Sequence, residues 1–303
     1  MNVPEIDEAT RQRLTARFGS EVEAWFAHLP ALLAAVADQW DLAFDMPIPR
    51  GQTSVVVRCR LADGRRGVLK VSPDRGRLEF EATALADWSS RQVPDVLAVD
   101  KHHGALLLEA VEPGEPLSES LAYPPIGTVA HLLHDLHTSG IPRPSYPGVE
   151  QRVRQLFDNS LKLYSWHPYL RDLVPVELYE RGRALGLRLA QTTDTPMVLL
   201  HGDLTPNNIV DGGRDRGLVA LDPCPCVGDA AFDAVDLLLW KVHDQQTIDL
   251  RAQQLAATTG AQSDRLLGWC TAFAAMVSLE IASEADRSPG QVHALVELAS
   301  RAP

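Results

Sequence analysis

From Glu5 to Trp40 the apolar positions recur at intervals of three and four. Val22, Trp25, Phe26 and Leu29 form one run, and Leu32, Leu33, Val36 and Trp40 a second. That spacing predicts two amphipathic helices facing a core, with Pro30 separating or resetting them, since proline removes a helical N–H and crowds the preceding turn. The texture changes across residues 46–51. Residues 54–61 and 67–71 then read as short strands around the tight turn Ala62-Asp63-Gly64, a hairpin pattern. A helix is expected over 78–88, with Glu79 and Glu81 near its beginning. A second hairpin follows over 96–99 and 105–109, closed by the polar turn 100–104.

Ala110-Val111-Glu112-Pro113-Gly114 is a connector with two strong punctuators, and the expected lobe boundary lies there, giving domains 1–110 and 111–303. Beyond it the pattern is mainly helical: 126–138, closed by Gly140, then segments around 153–163, 175–190 and 264–285. Strands concentrated in the first part and helices in the second argue an α+β fold rather than repeated βαβ units. No internal repeat or low-complexity tract interrupts the chain.

Composition narrows the function. The 303 residues are 45% hydrophobic, enough for an ordinary core, and the formal charge of −12 opposes nonspecific attraction to nucleic acid or anionic lipid. No uninterrupted apolar stretch reaches membrane-spanning length. Residues 1–10 lack the basic-then-apolar pattern of a secretory signal, so a cytoplasmic location is the expectation, with no nucleic-acid or membrane partner. The four cysteines, Cys59, Cys224, Cys226 and Cys270, are too scattered for a disulfide framework. Cys224-Pro225-Cys226 lacks the spacing of a zinc hook and a second pair to complete one. His131, His134 and His137 share a helical spacing, yet no acidic ligand set accompanies them, and packing, exposure or capping explains them better than zinc.

The chemistry concentrates in Met197-Val198-Leu199-Leu200-His201-Gly202-Asp203-Leu204-Thr205-Pro206-Asn207-Asn208-Ile209-Val210 and in Leu218-Val219-Ala220-Leu221-Asp222-Pro223. Apolar ends anchor a polar loop in each. Phosphoryl transfer needs a carboxylate to orient the acceptor hydroxyl and hard oxygen ligands for Mg²⁺, and Asp203, Asn208 and Asp222 offer them. Taken singly, Asp203 reads as a turn or cap residue and Asn208 as a turn residue, but single caps do not account for the whole cluster.

The run His201-Gly202-Asp203-Leu204-Thr205-Pro206-Asn207-Asn208, followed by Leu221-Asp222-Pro223 and Gly228-Asp229-Ala230-Ala231-Phe232-Asp233, resembles the aminoglycoside phosphotransferase superfamily. Within it the Trp25–Trp40 leader, the Leu136-His137 helix end and the Asp222–Asp236 tract are similar to the streptomycin 6-phosphotransferase and hydroxyurea phosphotransferase branch. The resemblance spans about residues 20–290. It implies a two-lobed protein-kinase-like fold with a small β-rich N-lobe and a larger helical C-lobe. Asp203 would be the catalytic base or hydroxyl-orienting group, Asn208 and Asp222 the metal ligands, and His201 a loop-fixing hydrogen-bond partner.

The same resemblance gives Lys70 the nucleotide-phosphate contact, held by Glu81, with Glu79 as the competing partner. Residues Arg50-Gly51-Gln52-Thr53-Ser54 occupy the place of the nucleotide-phosphate loop, with Gly51 and Ser54 as contacts. They match neither the three-glycine kinase loop nor a P-loop, and a plain hairpin turn is the alternative. Glu109 and Val111 would read the adenine edge through their backbones. Asp229, Asp233, Glu280 and Glu284 are candidates for the substrate side, where helix capping and solvation are the ordinary alternatives.

The expected activity is therefore ATP- and Mg²⁺-dependent O-phosphorylation of a small cationic hydroxylated substrate, foremost streptomycin at its 6-position, by a monomer or weak dimer. GTP is not distinguished from ATP by sequence. The rivals are a kinase of an amino sugar, a hydroxyurea-like compound or another hydroxylated metabolite, and a kinase-like binding protein without turnover.

Overall fold

The computed structural model describes residues 3–49, 51–192, 196–285 and 287–301. Arg50, in the candidate phosphate loop, lies outside the described residues. The chain divides into two units, Met1–Asp87 with Val93–Gly114, and Trp88–Gln92 with Glu115–Pro303. The division falls at Gly114, the last residue of the Ala110–Gly114 connector. Trp88–Gln92 joins the second unit because its polar groups are used there. The Trp88 indole N–H donates to the Leu136 carbonyl at 3.0 Å, and the Gln92 amide to the Arg216 carbonyl at 2.8 Å.

The first unit opens with helices α1 (Glu8–Phe18) and α2 (Val22–Trp40). Asp7 starts α1 by accepting the Thr10 N–H at 2.6 Å, which satisfies one of the unpaired donors of the first turn. Pro30 does not separate two helices, contrary to the expectation; it lies inside α2. Val22, Phe26, Leu29, Leu33, Val36 and Ala37 form one continuous buried stripe across it. At roughly 1.5–3 kcal/mol per large side chain buried, that stripe outweighs the ~3 kcal/mol cost of an internal proline.

A five-stranded antiparallel sheet follows: β1 (Ala43–Ile48), β2 (Val55–Arg60), β3 (Arg66–Val71), β4 (Val96–Asp100) and β5 (Ala105–Glu109), in the order β1-β2-β3-β5-β4. Strand β1 lies outside the strands expected from the sequence. Pro47 disguises it, and proline is tolerated because β1 is an edge strand with a register irregularity between Phe44 and Pro47. Val55, Val57, Cys59, Leu69, Val71, Ala105 and Leu107 join the stripe of α2 in one buried core. Lys70 alternates away from Leu69 and Val71, and α3 (Arg75–Ala86) packs against β4 and β5.

The second unit comprises α4 (Ile126–Ser139), α5 (Val149–Ser160), the short α6 (Leu163–Trp166) and α7 (Leu170–Leu173), and α8 (Val176–Gln191). Two small antiparallel pairs come next: β6 (Val198–Leu200) with β9 (Cys226–Gly228), and β7 (Ile209–Asp211) with β8 (Leu218–Ala220). Helices α9 (Val235–Leu239), α10 (Gln245–Thr259), α11 (Ser263–Ser283) and α12 (Pro289–Ser300) complete it.

Among the described residues, α11 is long and apolar enough to cross a membrane by length and composition. It exceeds the uninterrupted apolar runs of the sequence because Thr271 and Ser278 interrupt the run without interrupting the helix. Here α8, α10 and α12 pack around it, with Trp269, Phe273, Met276 and Leu279 buried. Phe273 meets Phe157 of α5 edge-on at 5.2 Å, which ties α11 to α5.

Candidate active site

In the second unit, strands β6 and β9 carry the chain into and out of two polar stretches, 201–208 and 221–225. Backbone hydrogen bonds join the two. The Cys224 N–H donates to the His201 carbonyl at 2.9 Å, and the Leu221 N–H to the Asn208 carbonyl at 2.7 Å. The second bond continues the β7–β8 ladder, in which Ile209 faces Ala220. Asn208 is therefore opposite Leu221, and Asp222 follows at the next position. The hairpin register brings together the two residues that the sequence nominates as metal ligands.

Gly202 is required where it stands. Its φ of +75° suits glycine, and an added Cβ would lie 2.1 Å from the Cys224 carbonyl oxygen. The neighbouring His201 is buried, and its Nε2–H donates to the Leu221 carbonyl at 2.9 Å. Burial holds its imidazole pKa below the usual value, outweighing the opposing pull of Asp233 and Asp203. Through Nε2, His201 ties the first polar stretch to the second.

Asp203 has both carboxylate oxygens engaged. Arg152 Nη2 donates to Oδ1 at 3.0 Å, and Asn208 Nδ2 donates to Oδ2 at 3.0 Å and to the Asp203 carbonyl at 2.9 Å. The Asp203 side chain keeps 35% of its surface open. It lines a cavity of about 140 Å³ together with Leu156, Thr205, Phe232, Asp236, Phe273 and Glu280. Asp236 is half-buried, and its pKa is pushed up to about 7, first by burial and then by repulsion from Asp203, with Arg152 pulling the other way. Burial and repulsion from Asp236, Asp203 and Glu284 raise Glu280 to about 8. Glu280 opens onto solvent, where water and ions screen part of that repulsion.

Three of the four substrate-side candidates sit elsewhere. Asp229 is buried and caps the turn at Ala231, while its Oδ2 accepts from Arg265 Nε at 2.5 Å and from the Trp269 indole at 2.7 Å. Asp233 is buried too. It accepts from the backbone N–H groups of His201 and Gly202 at 2.8 and 2.9 Å and from His137 Nε2 at 3.0 Å. Burial alone would raise the Asp233 pKa, but the His137 hydrogen bond and the neighbouring charges hold it below the usual range. Both carboxylates brace loops because burial without donors would be costly. Glu284 lies just past the end of α11, exposed, and only Glu280 reaches the cavity.

Sequence reasoning did not single out Arg152, and it reached Asp236 only as the end of the Asp233–Asp236 tract. Arg152 lies on the buried stripe of α5 between Val149, Val153 and Phe157, with Arg154 close by, and no local pattern distinguishes the two arginines. Asp236 sits one helical turn after Asp233, and only the observed cavity separates their roles.

In the first unit, Lys70 Nζ lies 2.5 Å from Glu81 Oε1 with both side chains buried. Glu79 instead pairs with Lys101 at 3.1 Å on the surface. The buried face of α3, carrying Leu78, Glu81, Ala82 and Leu85, decides between them. Gly51 and Ser54 form a close turn, since a Cβ on Gly51 would lie 2.1 Å from the Ser54 carbonyl oxygen. Ser54 itself is buried. The Glu109 N–H is used by the Asp95 carbonyl at 2.9 Å, and its carboxylate accepts the Asp95 N–H at 3.0 Å. Val111 lies just beyond the sheet, past the end of β5.

An acidic cavity thus lies around a doubly held aspartate, with an asparagine and a second aspartate on adjoining strand ends. Residues 39–284 match the model of the aminoglycoside/hydroxyurea antibiotic resistance kinase family, and the chain belongs to that family. It is 32% identical to streptomycin 6-kinase of Streptomyces griseus over 229 residues, covering 75% of this chain and 70% of the relative. With hydroxyurea phosphotransferase of Kitasatospora aureofaciens it shares 28% identity over 263 residues, 84% and 73% of the two chains. The fold is shared with aminoglycoside phosphotransferase APH(3'')-Id from Streptomyces rimosus, solved with ADP and streptomycin. The TM-score is 0.57 at 20% identity, covering 82% of this chain and 98% of the other. The chain is thus a small-molecule phosphotransferase acting on an alcohol group.

Proposed function

We propose that this enzyme transfers the terminal phosphoryl group of ATP to a hydroxyl of a streptomycin-like aminoglycoside, with the 6-position as the leading site. The observation that carries the reading is Asp203 on the wall of a cavity shared with Asp236 and Glu280, a carboxyl-lined surround that favours a substrate bearing guanidinium or ammonium groups as Asp236 and Glu280 ionise. Asp203 orients the acceptor hydroxyl and receives its proton as the oxygen attacks phosphorus and ADP departs.

The donor set fits Mg²⁺. Both hydrogen bonds of the Asn208 amide nitrogen go to Asp203, which leaves its Oδ1 as a hard oxygen ligand, and Asp222 adds a carboxylate. When bound, Mg²⁺ would neutralise phosphate oxygens. Lys70, fixed by Glu81, supplies a cation for the nucleotide phosphates, and the backbone at Val111 a base-reading edge.

A second reading is favoured by the cavity itself. About 140 Å³ with walls of Leu156, Phe232, Val235, Phe273 and Met276 suits a small acceptor of the hydroxyurea type or one arm of a larger sugar. The deciding experiment incubates the purified enzyme with ATP or GTP, Mg²⁺ and a panel of streptomycin, other aminoglycosides, amino sugars and hydroxyurea, and reads products by mass spectrometry. A phosphate monoester of streptomycin supports the first reading. Turnover of hydroxyurea or an amino sugar alone supports the second, and no product from any acceptor refutes both.

A further inference from the structure

We propose that Arg152 is the positioning residue for the transfer, a forked guanidinium that ties the Asp203 carboxylate to the catalytic loop and aims it at the acceptor. The inference rests on the phosphotransferase reading above. Arg152 is buried, and it divides its donors between two partners of different kind. Nε donates to the Gly202 carbonyl at 2.7 Å, and Nη2 donates to Asp203 Oδ1 at 3.0 Å. A third bond, from Nη1 to Gln155 Oε1 at 3.2 Å, holds the far edge of the plane. A planar guanidinium reaches the two acceptors from separate nitrogens in a fixed fork, whereas a lysine has a single nitrogen to share between them.

The helix that carries Arg152 is itself fixed to the site. Gly148, at the start of α5, bridges Val227 of β9, and the Val227 N–H donates to the Pro147 carbonyl at 2.8 Å. Gly228 packs so closely on Val149 that a Cβ there would lie 2.4 Å from Val149 Cγ1. Arg152 follows one turn later, so β9, which also pairs with the strand entering the catalytic loop, sets the guanidinium against that loop.

Charge gives the same residue a second use. Asp203 shares its cavity with Asp236 and Glu280, and repulsion favours turning the Asp203 carboxylate away from them. Arg152 supplies the compensating positive charge on the Oδ1 side, while Asn208 holds Oδ2. With both oxygens held, the carboxylate presents one fixed direction to an incoming hydroxyl, and misplacement of about 1 Å costs a reaction of this kind roughly a hundredfold in rate.

The test compares Arg152→Ala and Arg152→Lys with the wild-type enzyme, with and without added guanidinium ion. Crystal structures of the variants need no acceptor. The expected result is an Asp203 side chain that leaves its place in both variants and returns in Arg152→Ala soaked with guanidinium. In turnover, kcat falls by about a hundredfold with the KM for ATP changed by no more than about twofold, and guanidinium restores about tenfold in Arg152→Ala. An Asp203 carboxylate that stays in place in both variants overturns the proposal, as does wild-type kcat in either. So does a loss that guanidinium leaves untouched and that follows the fall in melting temperature. If the wild-type enzyme phosphorylates no acceptor, the functional reading fails and the crystal structures decide the role of Arg152.

Discussion

The amide nitrogen of Asn208 lies 3.0 Å from Asp203 Oδ2 and 2.9 Å from the Asp203 carbonyl, so both of its hydrogen bonds serve the catalytic loop. One side chain therefore does two things. It holds the carboxylate through nitrogen, and in the proposed reaction it would offer Oδ1 to Mg²⁺. Asn208→Ala removes both, and the Mg²⁺ concentration for half-maximal activity is expected to rise by about 10- to 100-fold. Titration of activity against Mg²⁺ at saturating ATP measures it, and an unchanged midpoint contradicts the metal role.

The acidic cavity makes acceptor binding depend on pH. Asp236 is pushed up to about 7 and Glu280 up to about 8 by burial and by repulsion from Asp203 and other nearby carboxylates, with Arg152 opposing each shift. Both ionise as the pH rises through those values. The cavity gains negative charge, and the KM of a guanidinium-bearing acceptor such as streptomycin falls, while that of an uncharged acceptor does not, because guanidinium itself stays charged throughout. Stability moves the other way. A carboxyl whose pKa is raised on folding binds more protons in the folded state than in the unfolded, so the melting temperature is expected to fall between the ordinary carboxylate range and about 8. Asp236→Asn should flatten both trends.

Asp233→Ala separates bracing from chemistry. It strands two buried backbone N–H groups, of His201 and Gly202, and the ring of His137. The expected loss is about 3–5 kcal/mol of stability by chemical denaturation. A variant with unchanged stability and only a raised acceptor KM would return Asp233 to the substrate side.

Gly202→Ala places a methyl group 2.1 Å from the Cys224 carbonyl at a φ of +75°. The two polar stretches can no longer close on each other, and the cost is on the order of 3 kcal/mol. Thermal denaturation reads it directly, with activity lost along with the contact between the loops.

How much of this was legible in the chain follows from how local each feature is. The stretch from His201 to Asn208 and the Leu221-Asp222-Pro223 segment are short, and hairpin register alone brings them together, so the candidate ligands could be named before folding. Lys70 was visible as a charge on an apolar strand, but choosing Glu81 over Glu79 needed the buried face of α3. Arg152 reaches Asp203 across 51 positions of sequence, and nothing in α5 marks it apart from Arg154. Proline misled twice. Inside α2 the buried stripe overrode it, and in β1 an edge position accommodated it. The carboxylates after β9 all looked alike in sequence, and the cavity, which Asp236 lines and the buried Asp229 and Asp233 do not, sorted them.

The central claim is that Asp203 orients the acceptor hydroxyl, and the most direct measurement is the single-turnover rate of phosphate transfer by Asp203→Asn at saturating ATP and acceptor. Asparagine keeps the size of the side chain and an acceptor for Arg152 while removing the charge. The account predicts a rate lower by about 10²- to 10⁴-fold with nucleotide affinity retained. A rate within about twofold of wild type, with the same phosphorylated product, would contradict it.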